Sequence, residues 1–212
     1  MILLTGFEPF GGETFNPSWP AAQQAAAALT ASGLPATALE LPVEFGGSAD
    51  VLRQALLENH YDLVMAVGQA GGCSTLALER VAINIDDARI PDNAGKTPVD
   101  EPVIADGPAA YFSTLPIKAG LQALRDAGIR AEVSQSAGTF VCNHIFYALM
   151  HALSDRPGTR GGFIHVPFAP EQVPEGQQPS MEVAEMARGL ELVARTALST
   201  TTDLLLGAGA TH

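Results

Sequence analysis

Runs with strand character alternate with runs of helical periodicity along nearly the whole chain, and this alternation limits the fold more than any other feature. Ile2 to Phe7 is a continuous apolar run, the pattern of a strand buried on both faces. Ser18 is placed to cap an Ala-rich helix that runs to about Ser32, where Gly33 stops it. Ala36 to Val43 reads as strand. Ser48 to about Asn59 reads as helix, with Val51, Leu52, Ala55 and Leu56 at helical spacing. Leu63 to Val67 is an apolar strand that ends at the glycine-rich Gly68 to Gly72, and Leu78 to Ile85 alternates like another strand. Ile117 to Ala127 is a helix closed by Gly128, followed by a short strand from Arg130 to Ser134 and a helix from Asn143 to Leu153. Gly162 to Val166 is a strand, and Ser180 to about Ser199 a last helix.

This order predicts an α/β domain with a largely parallel sheet covered by helices on both faces. No repeat or linker divides the chain, so residues 1–212 are read as one domain. The stretch Asp86 to Pro116, rich in Pro, Gly and Asp, is too long for an ordinary connection and reads as a loop that is either functional, as a site wall or subunit contact, or disordered. In such sheets ligands bind beyond the carboxyl ends of the strands. That rule selects Phe7 to Gly12, Gly68 to Gly72, Phe140 to Asn143 and His165 to Phe168.

Charge and composition narrow the partners. The net charge is -12, with 23 acidic against 11 basic residues. Such a surface repels phosphate backbones and anionic lipids, which argues against nucleic acid and membrane partners. No window has the length and apolarity of a membrane-spanning helix, and the N-terminus reads as a first strand, not a signal peptide. Two cysteines are too few for a disulfide scaffold. A reducing cytoplasm is the expected location.

Cys142, in S-A-G-T-F-V-C-N-H, is the first candidate for chemistry. A lone cysteine is usually a small apolar core residue. This one lies where an apolar run gives way to a helical pattern, the setting of a strand-to-helix junction. The first N–H groups of a helix lack internal partners and carry partial positive charge, which favours a thiolate and can support an oxyanion. His165, near the end of the apolar strand G-G-F-I-H-V, is either an inert core histidine or a general base for that thiol. Glu79, among apolar residues in L-A-L-E-R-V, either pairs with Arg80, Arg89 or Lys96 or orients the imidazole.

The remaining candidates are weaker. Cys73 has no helix start behind it. His144, two residues past Cys142, points to nearly the opposite side of a helix; His144 and His151 are one heptad apart, but no further ligands match them, so no metal site is expected. His60 lies in a polar segment and His212 ends the chain. In F-E-P-F-G-G, Phe7 and Phe10 are either core side chains at a turn or an apolar wall for a flat, uncharged ligand. The glycines do not follow dinucleotide or P-loop spacing.

Taken together, T-G-F-E-P-F-G-G with N-P-S, V-G-Q-A-G-G, E-R-V-A-I-N before D-A-R-I-P-D-N, G-T-F-V-C-N-H, and G-G-F-I-H-V-P-F with P-E-Q cover nearly the whole chain. In this order they closely resemble the pyroglutamyl-peptidase I family, also called pyrrolidone carboxyl peptidases. The resemblance implies a single-domain α/β/α sandwich that hydrolyses the amide after an N-terminal pyroglutamate without a cofactor. It implies Cys142 as nucleophile, His165 as base and Glu79 as the orienting carboxylate. It also implies a lactam pocket walled by Phe7, Phe10, Phe140 and Val141, with the Gln69 main chain hydrogen-bonding the lactam edge. Arg89 would help to shape the acyl site and Ile90 would line the pocket. Val43 stands where members often carry threonine, so that position keeps an apolar contact and loses a hydroxyl. The resemblance further implies a homodimer or homotetramer acting on pyroglutamyl peptides.

Two alternatives remain distinct at this level. A nucleoside-phosphorylase-like enzyme on a similar sandwich needs a phosphate site, for which Arg80, Arg89 and Lys96 are the available bases. An inactive lactam- or peptide-binding protein would keep the pocket without the chemistry.

Overall fold

Every residue of β1 (Ile2–Phe7) is buried, and its period of two divides it between two cores. Ile2 and Leu4 pack with the helices on one face of the main sheet, and Leu3 and Phe7 with those on the other. The computed structural model describes residues 1–173 and 177–209, so His212 lies outside the described residues.

The main sheet has six strands in the order β2 (Ala36–Leu41), β1, β3 (Leu63–Gln69), β8 (Arg160–Val166), β4 (Leu76–Glu79) and β7 (Ala131–Ser134). All neighbours are parallel except β4 and β8. A small antiparallel sheet pairs β5 (Val81–Ile83) with β6 (Ala110–Phe112). Helices α1 (Ser18–Ala31), α3 (Ile117–Asp126) and α5 (Val183–Ser199) cover one face through residues such as Ala25, Leu29, Leu124, Leu190 and Val193. Helices α2 (Gly47–Glu58) and α4 (Val141–Leu153) cover the other, where Leu52, Leu56, Ile145 and Phe146 meet Val64, Ala66 and Phe163. The fold is thus the α/β/α sandwich expected. The alanine face of α1 allows close approach to the sheet, and Gly6 is required there: a Cβ on it would fall 2.5 Å from the Trp19 Cα.

Several expected boundaries move, each for a physical reason. Leu78 to Ile85 is not one strand. The chain leaves the main sheet after Glu79 and enters the small one at Val81, with Arg80 at the break. Ser18 does not cap α1; it is buried, accepts from the Phe7 N–H at 3.0 Å and donates to Asn16 Oδ1 at 2.8 Å. No strand precedes Cys142. A loop joins β7 to α4, and the helix begins at Val141, so the cysteine is in its first turn. The last helix begins at Val183 instead of Ser180. The long 86–116 stretch is ordered by β6 and by mutual backbone hydrogen bonds between Asp86 and Glu101. Among the described residues no helix is long and apolar enough to cross a membrane.

Candidate active site

Sheet register brings the three candidate groups onto one face. His165 lies opposite Gly68 of β3 and opposite Ala77 of β4. Because β4 runs antiparallel to β8, Glu79 is a diagonal same-face neighbour of His165, two residues beyond Ala77. Helix α4 starts over the same face. Its second residue, Cys142, sets its sulfur over Gly68, where a Cβ would come within 2.8 Å of Sγ and 2.7 Å of the Phe163 ring. Gly68 therefore makes the space for the thiol, a role its place in a glycine-rich run did not distinguish.

His165 Nδ1 is 2.7 Å from Glu79 Oε1, and both residues are buried, at 7% and 1% exposure. A carboxylate only accepts, so Nδ1–H donates to it and Nε2 is left for the Cys142 sulfur beside it. Burial opposes a charge on the imidazole, but the charge and hydrogen bond of Cys142, joined by those of Glu79, outweigh it and push the His165 pKa up to about 10. The Phe163 ring packs edge-on against the imidazole at 4.8 Å and helps to fix its plane. None of the basic partners considered for Glu79 holds it: Arg80 Nε donates to Gln135 Oε1 and Lys96 Nζ to the Phe45 carbonyl.

The N–H groups of Val141, Cys142 and Asn143 precede the first intrahelical bond of α4, which runs from His144 N to Phe140 O. They form a cluster of donors beside the sulfur. Asn143, fully buried, locks this helix start: its Oδ1 accepts from Ile83 N at 3.0 Å, and its Nδ2 donates to the Ile83 and Ile85 carbonyls at 2.9 and 2.8 Å. Sequence reading missed Asn143; the available signal was an amide immediately after the candidate nucleophile.

Beside the sulfur is a narrow slot of ≈ 240 Å³ of empty space, lined by Phe7, Phe10, Asn16, Val43, Gln69, Phe140, Val141 and Cys142. Phe10 and Phe140 face each other with centroids 6.1 Å apart, and Phe45 braces Phe140 edge-on at 5.3 Å. The F-E-P-F turn is held by polar residues: Asn16 Nδ2 donates to the Glu8 carbonyl, and Glu8 Oε1 accepts from Val43 N and Asn93 Nδ2. The Gln69 side-chain amide is taken by Gln172 at 2.9 Å. Its backbone edge faces away from β8, since Val166 bonds to Ala70 N, and β1 pairs with β3 only as far as Thr5 and Ala66. That edge opens on the slot.

Arg89 and Ile90 do not line the slot. With Asp87, Gly138 and Thr139 they line a separate cleft that shares the Phe140 wall. Cys73 is also apart: its thiol donates to the Ala70 carbonyl at 2.9 Å, and burial pushes its pKa up. His144 faces away from the sulfur, onto Asp86. Among the described residues no group of three His, Cys, Asp or Glu side chains is placed to hold a metal.

The family described as pyroglutamyl peptidase matches residues 1–200. A pyrrolidone-carboxylate peptidase of Streptomyces coelicolor is 56% identical, covering 100% of this chain and 99% of the relative. One from Klebsiella pneumoniae is 54% identical, with 100% and 99% covered. The crystal structure of pyroglutamyl peptidase I from Bacillus amyloliquefaciens superposes with a TM-score of 0.91 at 45% identity, covering 97% of this chain and 98% of that one. By fold, full-length match and sequence identity, this chain belongs to the pyroglutamyl peptidase family.

Proposed function

We propose that this protein is a cysteine peptidase that removes N-terminal pyroglutamate from peptides by acyl transfer. The observation that carries the reading is the buried Glu79–His165 pair beside the Cys142 sulfur, which lines an aromatic slot. The lactam ring enters between Phe10 and Phe140, against Phe7, Val43 and Val141. The free backbone edge of Gln69 pairs with the ring amide. The ring is flat and carries no ammonium, so an apolar slot with two backbone hydrogen bonds recognises it without an acidic anchor.

The Cys142 thiolate attacks the pyroglutamyl carbonyl. The oxyanion forms against the N–H cluster at the start of α4. As the C–N bond breaks, His165 gives its Nε2 proton to the leaving nitrogen, and a thioester remains. Water then loses a proton to His165, attacks the thioester and releases pyroglutamate. Glu79 keeps the Nδ1 proton in place and stabilises the imidazolium throughout. No metal or organic cofactor is needed for these steps. By the family resemblance, the working form is a homodimer or homotetramer, and exposed Phe112 and Leu57 offer apolar surface for packing between copies.

The nucleoside-phosphorylase alternative finds no support, because Arg80 and Lys96 are each occupied elsewhere and do not gather with Arg89. The test is release of aminomethylcoumarin from its pyroglutamyl and prolyl derivatives, with Cys142→Ala as blank. Cleavage of the pyroglutamyl compound alone is expected. Proline lacks the ring carbonyl and leaves a buried donor unpaired, a difference on the order of 10⁴ at most. Equal cleavage by the Cys142→Ala protein would sink the assignment.

A further inference from the structure

We propose that the cleft formed by Asp87, Arg89, Ile90, Gly138, Thr139 and Phe140 receives the peptide on the leaving side of the scissile bond, and that Arg89 there selects for a carboxylate. This rests on the peptidase reading and adds to it a second subsite and a substrate preference. The acyl slot is lined on its inner side by Phe7, Val43 and Asn16, so a peptide whose ring fills it must continue outward past Cys142. Phe140 is the wall common to the slot and to this cleft, whose empty space is ≈ 1120 Å³, part of it open to solvent. The depressions lined by Trp19 and Thr30, by Phe112 and Arg156, and by Phe45 and Lys96 share no wall residue with the slot.

The cleft is built in register with the nucleophile. Asp87 N donates to the Thr139 carbonyl at 2.9 Å, and Thr139 Oγ1 returns a bond to the Asp87 carbonyl at 2.8 Å. This double clasp ties the Arg89 segment to the loop that runs directly into Val141 and Cys142. Side chains here therefore keep a set distance from the reacting sulfur.

Charge decides the ligand class. The chain has 23 acids against 11 bases, and among the described residues Arg89 is the one base that lines this cleft. Arg80 and Lys96 are engaged, whereas among the described residues the Arg89 guanidinium has no hydrogen-bond or ion-pair partner and is exposed. A guanidinium on a cleft wall favours a carboxylate, and the exposed Ile90 beside it accepts the apolar stem of a side chain. Asp87 carries the opposing charge in the same cleft. The carboxylate could be the free terminus of a pyroglutamyl dipeptide or an acidic side chain early in the leaving peptide.

The test measures kcat/KM for two matched pairs of substrates: pyroglutamyl-alanine against its amide, and pyroglutamyl-glutamyl-alanine amide against the glutaminyl analogue. The wild-type protein is expected to favour the acid in at least one pair by about two- to fivefold, the scale of an exposed ion pair, with the preference lost in 1 M salt. Arg89→Gln should bring that ratio to about one, and Asp87→Asn should raise it. A preference in the first pair alone identifies a dipeptide terminus, and in the second alone an acidic side chain; either supports the cleft. Equal rates within both pairs, or a ratio that persists in Arg89→Gln, would overturn it. If no pyroglutamyl substrate is cleaved at all, the peptidase reading itself fails and this proposal falls with it.

Discussion

Two buried histidine–carboxylate pairs lie on the same face of the sheet, and the difference that matters for chemistry lies at one ring nitrogen. His165 contacts Glu79 at 2.7 Å, and His144 contacts Asp86 at 2.8 Å. The imidazoles are 7% and 6% exposed, and in each pair one carboxylate oxygen is buried without a partner. The difference lies at the second ring nitrogen. That of His165 meets the Cys142 sulfur. That of His144 accepts the Gly46 N–H at 3.0 Å, which closes the ring on both sides. His144 also packs edge-on to Phe45, and Phe45 braces the Phe140 wall. One pair thus has a nitrogen available for proton transfer, while the other pins a loop. Burial and a carboxylate are common to both and do not distinguish a reacting imidazole from a structural one.

The sharpest way to break this comparison is to remove each imidazole and read turnover. His165→Asn is expected to lower kcat by about 10² to 10⁴-fold, the range of a positioned acid–base group. Glu79→Gln should fall in the lower part of that range. His144→Asn should leave kcat within about threefold, because its ring does not reach the sulfur. Equal losses in His165→Asn and His144→Asn would erase the distinction.

A smaller effect appears in stability. His144→Asn deprives Asp86 and Gly46 N–H of their buried partner, a loss of about 1–3 kcal/mol in denaturant unfolding. Its KM should rise more than its kcat falls, since Phe45 no longer holds Phe140 as firmly. An unchanged unfolding midpoint would show that the Asp86–His144 contact is incidental.

The smallest effect is a pH dependence peculiar to His165. Its folded pKa is raised to about 10 above an ordinary value of 6.5. A group shifted upward adds stability that is fully present below 6.5 and is lost as pH rises through about 10. The Tm advantage of the wild type over His165→Asn should therefore shrink by a few degrees between pH 7 and 10. An advantage that grows over that range would mean the imidazole is neutral in the folded protein.

Much of the framework was legible locally. The apolar run of β1, the alanine face of α1 and the stops at Gly33 and Gly128 follow from burial period and backbone conformation, and both glycines adopt positive φ, at 88° and 73°. The segments beyond the strand ends were also readable, since an open parallel sheet exposes ligands there. Other features depend on partners distant in the chain. The antiparallel turn of β4 against β8, which sets Glu79 beside His165, leaves no trace in an alternating run that continues past Arg80. Gly68 could not be told from its neighbouring glycines until the Cys142 sulfur lay over it. Arg89 and Ile90 were expected at the acyl site, but the Asp87–Thr139 clasp carries them to the next cleft.

By itself the sequence determined most of the strands and helices of the sandwich, which of their faces are apolar, and that a cysteine lies at the start of a helix while a histidine lies near the end of a strand. Those properties are local, because side-chain direction and capping depend on residues a few positions away. Tertiary structure decided which histidine meets the sulfur, which glycine makes room for it, and where the slot ends and the neighbouring cleft begins. Each of these depends on strand register and helix placement, where a shift of one residue would turn His165 to the opposite face of the sheet.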